Sequence, residues 1–314
     1  MKLVRKLLNI KQSELRPTLV LFFHSFLLVS IFIISKSIRD TLFLTQFDKQ
    51  ILPLMYLLSS ILIWFVIHFI WSKRTDNYFI SDSYKFYLTI FIITLLFGLI
   101  RNYYIIPIYY LWIEIITILM GIVYWDSASL IFNNLQAKRI FPLVTAGGSI
   151  AGIISGTLLP VIVKIIDLHD LILITSFLIL LTMYIFTRST SYFIERSNKK
   201  HNKSNNNNRK LFSSDRFIIA ILILTIVSSI IFTIIDYEFK IIISNSYISE
   251  FSMIEFFGRF YIVTSFLTLF VQVFLTSRMI NRLGVIAGLN ILPIIFLSLP
   301  ALSIILSPLL LLSF

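Results

Sequence analysis

Three charged residues follow the first long apolar segment of the chain, and their types suit anion binding. Lys36, Arg39 and Asp40 are spaced i, i+3 and i+4, so a continuing helix would place them on one face. Charges at the end of an apolar helix need water, a partner or a ligand. These residues could bind a phosphate or a carboxylate at the mouth of a pathway. Alternatively, they form a local ion pair whose long cations reach the interface.

A second charged cluster lies about 200 residues further on, where another apolar segment ends, and it comprises Asp236, Glu238 and Lys240. This repeated layout predicts two parallel halves related by an axis along the membrane normal. Ion pairs of Asp40 with Lys240, or of Lys36 with Asp236, could then close an outer gate between the halves. The alternative is that any two helices after basic loops begin alike.

Two arginines and one acid are predicted within other apolar helices. Arg101 follows a short apolar run, so its helix is expected to continue toward Pro107 and to leave the guanidinium just below the outer surface. Arg259 is expected one turn into a later helix. Both could face a cavity and attract anions, or could extend to the interface. Glu114 could balance a cation or carry a proton.

A stripe of small residues, Gly148, Gly152 and Gly156, repeats every four residues. Such a stripe lets two helix backbones approach closely, so helix packing is the favoured interpretation.

Enzymatic chemistry is not expected. The chain has no cysteine and only four histidines, so thiol chemistry is excluded and no metal site or cofactor is predicted. It has no G-x-x-x-x-G-K-[ST] loop, which argues against ATP hydrolysis. No nucleophile with a base and an orienting group is recognisable.

The elements that must position these residues are transmembrane helices. Apolar residues make up 58% of the chain and charged residues 13%, far from the balance of a water-soluble domain. The apolar residues form blocks of about 20 residues, the length that crosses a bilayer as a helix. The predicted fold is an all-α, polytopic transmembrane bundle with about ten spans, at 17–35, 51–71, 86–106, 108–132, 143–163, 171–187, 217–235, 256–276, 283–299 and 301–314.

Basic residues define the expected topology. With the N-terminus inside, the predicted inner segments contain 20 of the 27 Lys and Arg residues. The net charge of +12 is therefore interpreted as a topology signal, and nucleic acid is not an expected partner. We expect an interfacial segment at 1–16, a six-helix half at 17–187, a disordered cytoplasmic linker at 188–215, and a second half at 216–314. A multi-pass location in a bacterial inner membrane is expected.

Several segments together resemble the ATP/ADP translocase (nucleotide transporter) family of bacteria and plastids and its bacterial relatives, within the major facilitator fold. The segments are SKSIRDTLFL from Ser35, AKRIFPLVTAGGSIAG from Ala137, IIDYEFK from Ile234 and EFFGRFYIVTSFLTLFVQVFLTSRMINRLGV from Glu255.

The resemblance implies a twelve-helix carrier that exchanges ATP for ADP, or imports nucleotides, by alternating access without hydrolysis. It implies a phosphate-binding role for Lys36, Arg39, Lys240 and Arg259. The expected partners are the lipid bilayer and a nucleotide or another anionic small molecule.

The chain departs from the twelve-helix pattern at its end. The tenth block stops at Phe314 after fourteen residues, so an incomplete second half is expected. Either the chain is a fragment or a separate chain supplies the remaining helices. A carrier of another solute, and a truncated membrane module without transport activity, are the alternative functions.

Overall fold

The computed structural model describes residues 11–72, 83–204 and 215–276, and within these ranges the chain forms helices and short connections without strands. This confirms the all-α class. A 3-10 turn at Lys49–Ile51 and a π turn at Val271–Thr276 accompany the main elements. The main elements are α1 (Gln12–Gln46), α2 (Leu52–Ser72), α3 (Ser83–Leu99), α4 (Ile105–Ile131), α5 (Asn134–Val163), α6 (Leu168–Ser204), α7 (Asp215–Ser246) and α8 (Glu250–Phe270).

Seven helices in the described part of the chain, all except α3, are long and apolar enough to cross a membrane. The apolar part of α3, Tyr84–Leu99, is shorter. The polytopic helical bundle is therefore confirmed, and each of the first eight predicted spans overlaps one helix. The predicted spans at 283–299 and 301–314 lie outside the described residues, as does most of the predicted interfacial segment.

Helix α1 is longer than predicted. It ends at Gln46 rather than at Ser35, with the Phe47 N–H bonded to the Phe43 carbonyl. The charged residues that follow Ser35 therefore lie inside the helix, and Arg39 and Asp40 are buried. A helix can continue through such residues because partners in the bundle offset the cost of removing them from water. The predicted end of the first span, at residue 35, is therefore too early.

The connection between α3 and α4 also differs from the prediction. Helix α3 ends at Leu99, so Arg101 lies in a loop and its helix does not continue toward Pro107. The Asn102 side chain accepts a hydrogen bond from the Tyr104 N–H at 3.0 Å and forms a turn. Pro107 instead lies in the first turn of α4, where a missing N–H costs no helical hydrogen bond.

Helix α6 extends into the segment predicted as a disordered linker. It continues to Ser204, and residues 205–214 lie outside the described part. Residues 188–204 contain neither glycine nor proline, so no helix breaker stops α6 at the predicted boundary. The division into two halves and their linker stays a prediction.

Helix α1 lies at the centre of the bundle and packs against α4, α5, α6 and α8. The predicted glycine stripe lies on α5 where it meets α1 and α8. A Cβ added at Gly148 would lie 2.7 Å from Val29, and one at Gly156 would lie 2.6 Å from the Gly258 carbonyl oxygen. A Cβ at Gly152 would collide with Ser265. These close approaches let α8 pack directly on α5.

Polar contacts also join the last two described helices, α7 and α8, to the end of α1 and to the turn that follows it. Gln46 donates to Glu250 at 3.3 Å, and Lys49 hydrogen-bonds to Asn245. These two contacts lie at the end of the bundle where α1 and α7 terminate, which is the side predicted to face outward. Arg39, Asp40 and Lys240 lie one to two turns deeper along α1 and α7.

Candidate functional site

A buried charged cluster joins three helices. Arg39 of α1 is 2% exposed, and it donates to Asp40 Oδ1 from Nε at 2.9 Å and from Nη2 at 2.7 Å. Its remaining terminal nitrogen, Nη1, donates to Glu114 of α4. Two carboxylates therefore neutralise one guanidinium in a region that excludes water, where charge-assisted hydrogen bonds are strong.

Lys240 of α7 completes the cluster. Its Nζ lies 2.8 Å from Asp236 Oδ2, one turn earlier on the same helix, and 3.3 Å from Asp40 Oδ1. The contact with Asp40 crosses from α7 to α1, which belong to the two predicted halves. The same Asp40 oxygen thus lies between Arg39 and Lys240.

Two tyrosines surround these cations. The Arg39 guanidinium carbon lies 4.3 Å from the centre of the Tyr110 ring, and Lys240 donates to the Tyr110 hydroxyl at 3.1 Å. Lys240 also lies 5.1 Å from the centre of the Tyr56 ring, and the Tyr56 hydroxyl donates to Asp236 at 2.7 Å. Aromatic faces stabilise cations that are out of water, so the tyrosines support the buried charges.

Lys36 is the third cation of this region. It is half-buried on α1 and interacts electrostatically with Glu114 and Lys240 as well as with its neighbours Arg39 and Asp40. Within the described ranges, Lys36 makes no hydrogen bond or close ion pair. The carboxylates of Asp40, Glu114 and Asp236 balance the three cations, so the site has no net formal charge. Lys36 is the cation with the fewest direct contacts.

The structure places three other predicted residues apart from these contacts. Arg101 lies in the α3–α4 loop with a side chain that is 56% exposed, and it pairs with Asp170 at the start of α6. Arg259 of α8 is 75% exposed and pairs with Glu255 at 2.7 Å. Glu238 is exposed, because it lies on the α7 face opposite Asp236 and Lys240.

Sequence reasoning missed Tyr56 and Tyr110 and did not connect Glu114 with Arg39. Glu114 carries a usable signal, because it is the only charged residue in the apolar stretch from 105 to 125. The tyrosines carry none, since the chain has 14 of them and their spacing does not distinguish these two. Only the packing of α2 and α4 against α1 and α7 identifies them.

Comparison with protein families identifies the chain. The family model of the TLC ATP/ADP transporter matches residues 94–306, which is more than half of the 314 residues. The matched region contains Tyr110, Glu114, Asp236 and Lys240, and it begins after Arg39. Comparisons with curated proteins and with solved structures gave no match. The match and the apolar helices that carry it together place this membrane protein in the TLC ATP/ADP transporter family.

Proposed function

We propose that this chain carries nucleotides, or closely related phosphorylated anions, across a membrane by alternating access, exchanging ATP for ADP or importing nucleotide without hydrolysis. The observation that carries the proposal is that one oxygen, Asp40 Oδ1, contacts cations from both predicted halves. It is bonded to Arg39 of one half and lies 3.3 Å from Lys240 of the other. An anion that binds both cations must connect the halves.

A phosphate group has the chemistry to compete for these cations. The Asp40 oxygen occupies the place between Arg39 and Lys240 that a phosphate oxygen would take. Arginine presents a planar fork that binds phosphate through two parallel hydrogen bonds, and lysine acts as a compact point charge. Lys36 is available to meet the anion first, because it has no ion-pair partner within the described residues.

The same exchange of partners would open and close a gate. When Lys240 binds Asp40, the two predicted halves are joined near the ends of α1 and α7. A phosphate that takes Lys240 away from Asp40 removes this link. The bonds from Gln46 to Glu250 and from Lys49 to Asn245 would then have to separate as well. Substrate binding is thereby coupled to movement of the halves.

Other predicted residues have peripheral roles in this proposal. Arg101 and Arg259 are exposed and paired with acids outside the buried cluster, so they would attract anions along the route rather than hold the phosphate in the buried cluster. Asp236 holds Lys240 in place, and Glu238 would act at the surface of α7. An N-terminus on the cytoplasmic side of a bacterial inner membrane remains the expected topology.

The test uses the purified full-length chain in liposomes loaded with ADP. External labelled ATP should accumulate inside, and unlabelled ATP or ADP should compete better than inorganic phosphate or sulfate. Lys36→Ala and Arg39→Ala should each reduce uptake at least tenfold. Arg188→Ala is the matched control, because Arg188 is an exposed arginine near the middle of α6, outside the charged cluster, and it lies over the Tyr184 ring.

Two outcomes contradict the proposal. Uptake that prefers sulfate or a carboxylate over nucleotides would point to a carrier of another solute. An inserted, folded protein with no uptake in either direction would support a module without transport activity.

A further inference from the structure

Tyr110 contacts both buried cations of the charged cluster at once. Its ring faces the Arg39 guanidinium, with 4.3 Å between the guanidinium carbon and the ring centre. Its hydroxyl accepts a hydrogen bond from Lys240 at 3.1 Å. Tyr110 is completely buried and lies one turn before Glu114, so α4 presents an aromatic ring and a carboxylate to Arg39 from the same face.

The neighbouring tyrosine shows that burial alone does not account for this arrangement. Tyr109 is equally buried, at 1% exposure, and packs beside Phe97. Its hydroxyl lies beside the Ser35 hydroxyl and hydrogen-bonds to no cation within the described part of the chain. The two adjacent tyrosines thus have the same burial, but of the two only Tyr110 makes direct contacts with Arg39 and Lys240.

Tyr110 differs from Asp40 in one essential property, which is its lack of charge. Both side chains contact Arg39 and Lys240. An entering phosphate must displace the Asp40 carboxylate, because two anions cannot share the same position between the cations. A neutral phenol is not repelled by the phosphate and can keep its contacts. It would therefore hold the two cations at a fixed separation while their anion is exchanged.

We propose that Tyr110 is a positioning residue that keeps Arg39 and Lys240 directed at one shared phosphate group. This inference rests on the proposed function for the identity of the anion, but the contact with Lys240 is testable without any substrate. Tyr110 contributes two separable parts: the hydroxyl orients Lys240, and the ring orients Arg39.

The first experiment measures how readily Lys240 reacts with a water-soluble amine reagent in the ligand-free full-length protein. The modified peptides are quantified by mass spectrometry against exposed Lys164 in the same molecule. Tyr110→Phe removes the acceptor of Lys240 and keeps the ring, so labelling of Lys240 should rise at least threefold. Tyr109→Phe removes a hydroxyl that does not contact Lys240 and should leave labelling unchanged.

The second experiment measures equilibrium binding of labelled ATP. Tyr110→Phe should weaken ATP binding at least tenfold, the effect of one lost hydrogen bond to a charged group. In a Lys240→Met background the same substitution should change ATP affinity less than twofold, because the amine that donates to the Tyr110 hydroxyl is already missing. Tyr110→Leu should weaken binding in both backgrounds, since it also removes the ring from Arg39. A purely structural role would give equal effects in both backgrounds.

The outcomes separate the two claims. The positioning role is wrong if Tyr110→Phe changes Lys240 labelling and ATP affinity no more than Tyr109→Phe does. It is also wrong if Tyr110→Phe weakens ATP binding equally with and without Lys240. If the wild-type protein binds no ATP, the proposed function fails, and the labelling experiment still decides whether Tyr110 holds Lys240. Increased labelling without reduced ATP affinity would refute the positioning of the phosphate.

Discussion

Lys240 of α7 lies 3.3 Å from Asp40 of α1, and both side chains are buried. The contact joins two helices that the sequence assigns to different halves of the molecule. Asp40 also accepts hydrogen bonds from Arg39, so a single carboxylate oxygen holds one cation from each half. Removing either partner of a buried ion pair leaves an uncompensated charge, which is far more costly than removing a surface pair.

Exchanging the charges of Asp40 and Lys240 should restore part of what each single reversal loses. Asp40→Lys and Lys240→Asp should each reduce ATP/ADP exchange in liposomes at least tenfold, because each places like charges together. The double reversal should recover a measurable fraction of the rate. Recovery should be incomplete, since the new lysine at position 40 lies beside Arg39 and the new aspartate at position 240 lies one turn from Asp236. A double variant no more active than either single variant would contradict the gate.

Arg39→Lys should strongly reduce transport although it keeps the positive charge. Lysine cannot bind Asp40 and Glu114 simultaneously in the arginine geometry, and it loses the planar stacking on Tyr110. We expect ATP/ADP exchange to fall at least tenfold, measured as initial rates at saturating ATP. The matched control is Arg188→Lys, at an exposed position where lysine can replace the charge. Equal rates for both variants would show that only the charge at position 39 matters.

Gly156→Ala should destabilise the packing of α5 on α8. The added Cβ would lie 2.6 Å from the Gly258 carbonyl oxygen and 3.1 Å from the Ile262 nitrogen, and both are backbone atoms of a helix that cannot rotate away. A loss of about 1–3 kcal/mol is expected for such overpacking. It can be measured as a lower unfolding temperature in detergent.

Gly121→Ala provides the control for this substitution. Gly121 lies within α4, and in the described part of the chain no atom apart from the nearby backbone of its own helix lies within 4 Å of an added Cβ. Alanine should be neutral there or stabilise the helix by up to about 1 kcal/mol, because glycine is the poorer helix former. If both glycine variants lower the unfolding temperature equally, close packing is not the reason for the glycine at position 156.

The positions of the helices could be predicted because the apolar blocks have membrane-spanning length, and the offset between the two charged clusters predicted that Asp40 could meet Lys240. The end of α1 could not be predicted in this way. A charged triplet looks like the end of an apolar helix unless its partners are known, and Glu114, Tyr110 and Lys240 come from helices distant in sequence.

Loop geometry and aromatic contacts were equally inaccessible to sequence reasoning. The turn at Asn102 that moves Arg101 out of α3 combines one side-chain hydrogen bond with backbone hydrogen bonds from Ile105 to Asn102 and from Ile106 to Tyr103. Tyr109 and Tyr110 are neighbours of the same type with the same burial, and only the packing of α4 against α1 and α7 decides which one contacts the cations. Local patterns predict elements, whereas the pairing of charges depends on tertiary packing.

A second ion pair, at the opposite end of α1, should show an asymmetric response to mutation. Glu14 is 1% exposed and accepts hydrogen bonds from the Lys11 N–H at 2.9 Å, from Gln136 at 2.9 Å, and from Arg139 at 2.7 and 2.9 Å. Arg139 is 26% exposed, so water can solvate it when the carboxylate is removed. Glu14 has no such access.

Arg139→Gln should therefore cost more stability than Glu14→Gln. The first change leaves a buried carboxylate without its cation, for which a loss of about 3 kcal/mol is expected. The second leaves a partly solvated arginine and a neutral amide that can still bond to its neighbours, with an expected loss of about 1 kcal/mol. The double variant should cost less than the two single losses added together, because the unpaired carboxylate is then absent. Thermal or denaturant-induced unfolding in detergent measures the loss of stability of all three variants. If the two single variants lose equal stability, or Glu14→Gln loses more, Arg139 does not compensate a buried charge.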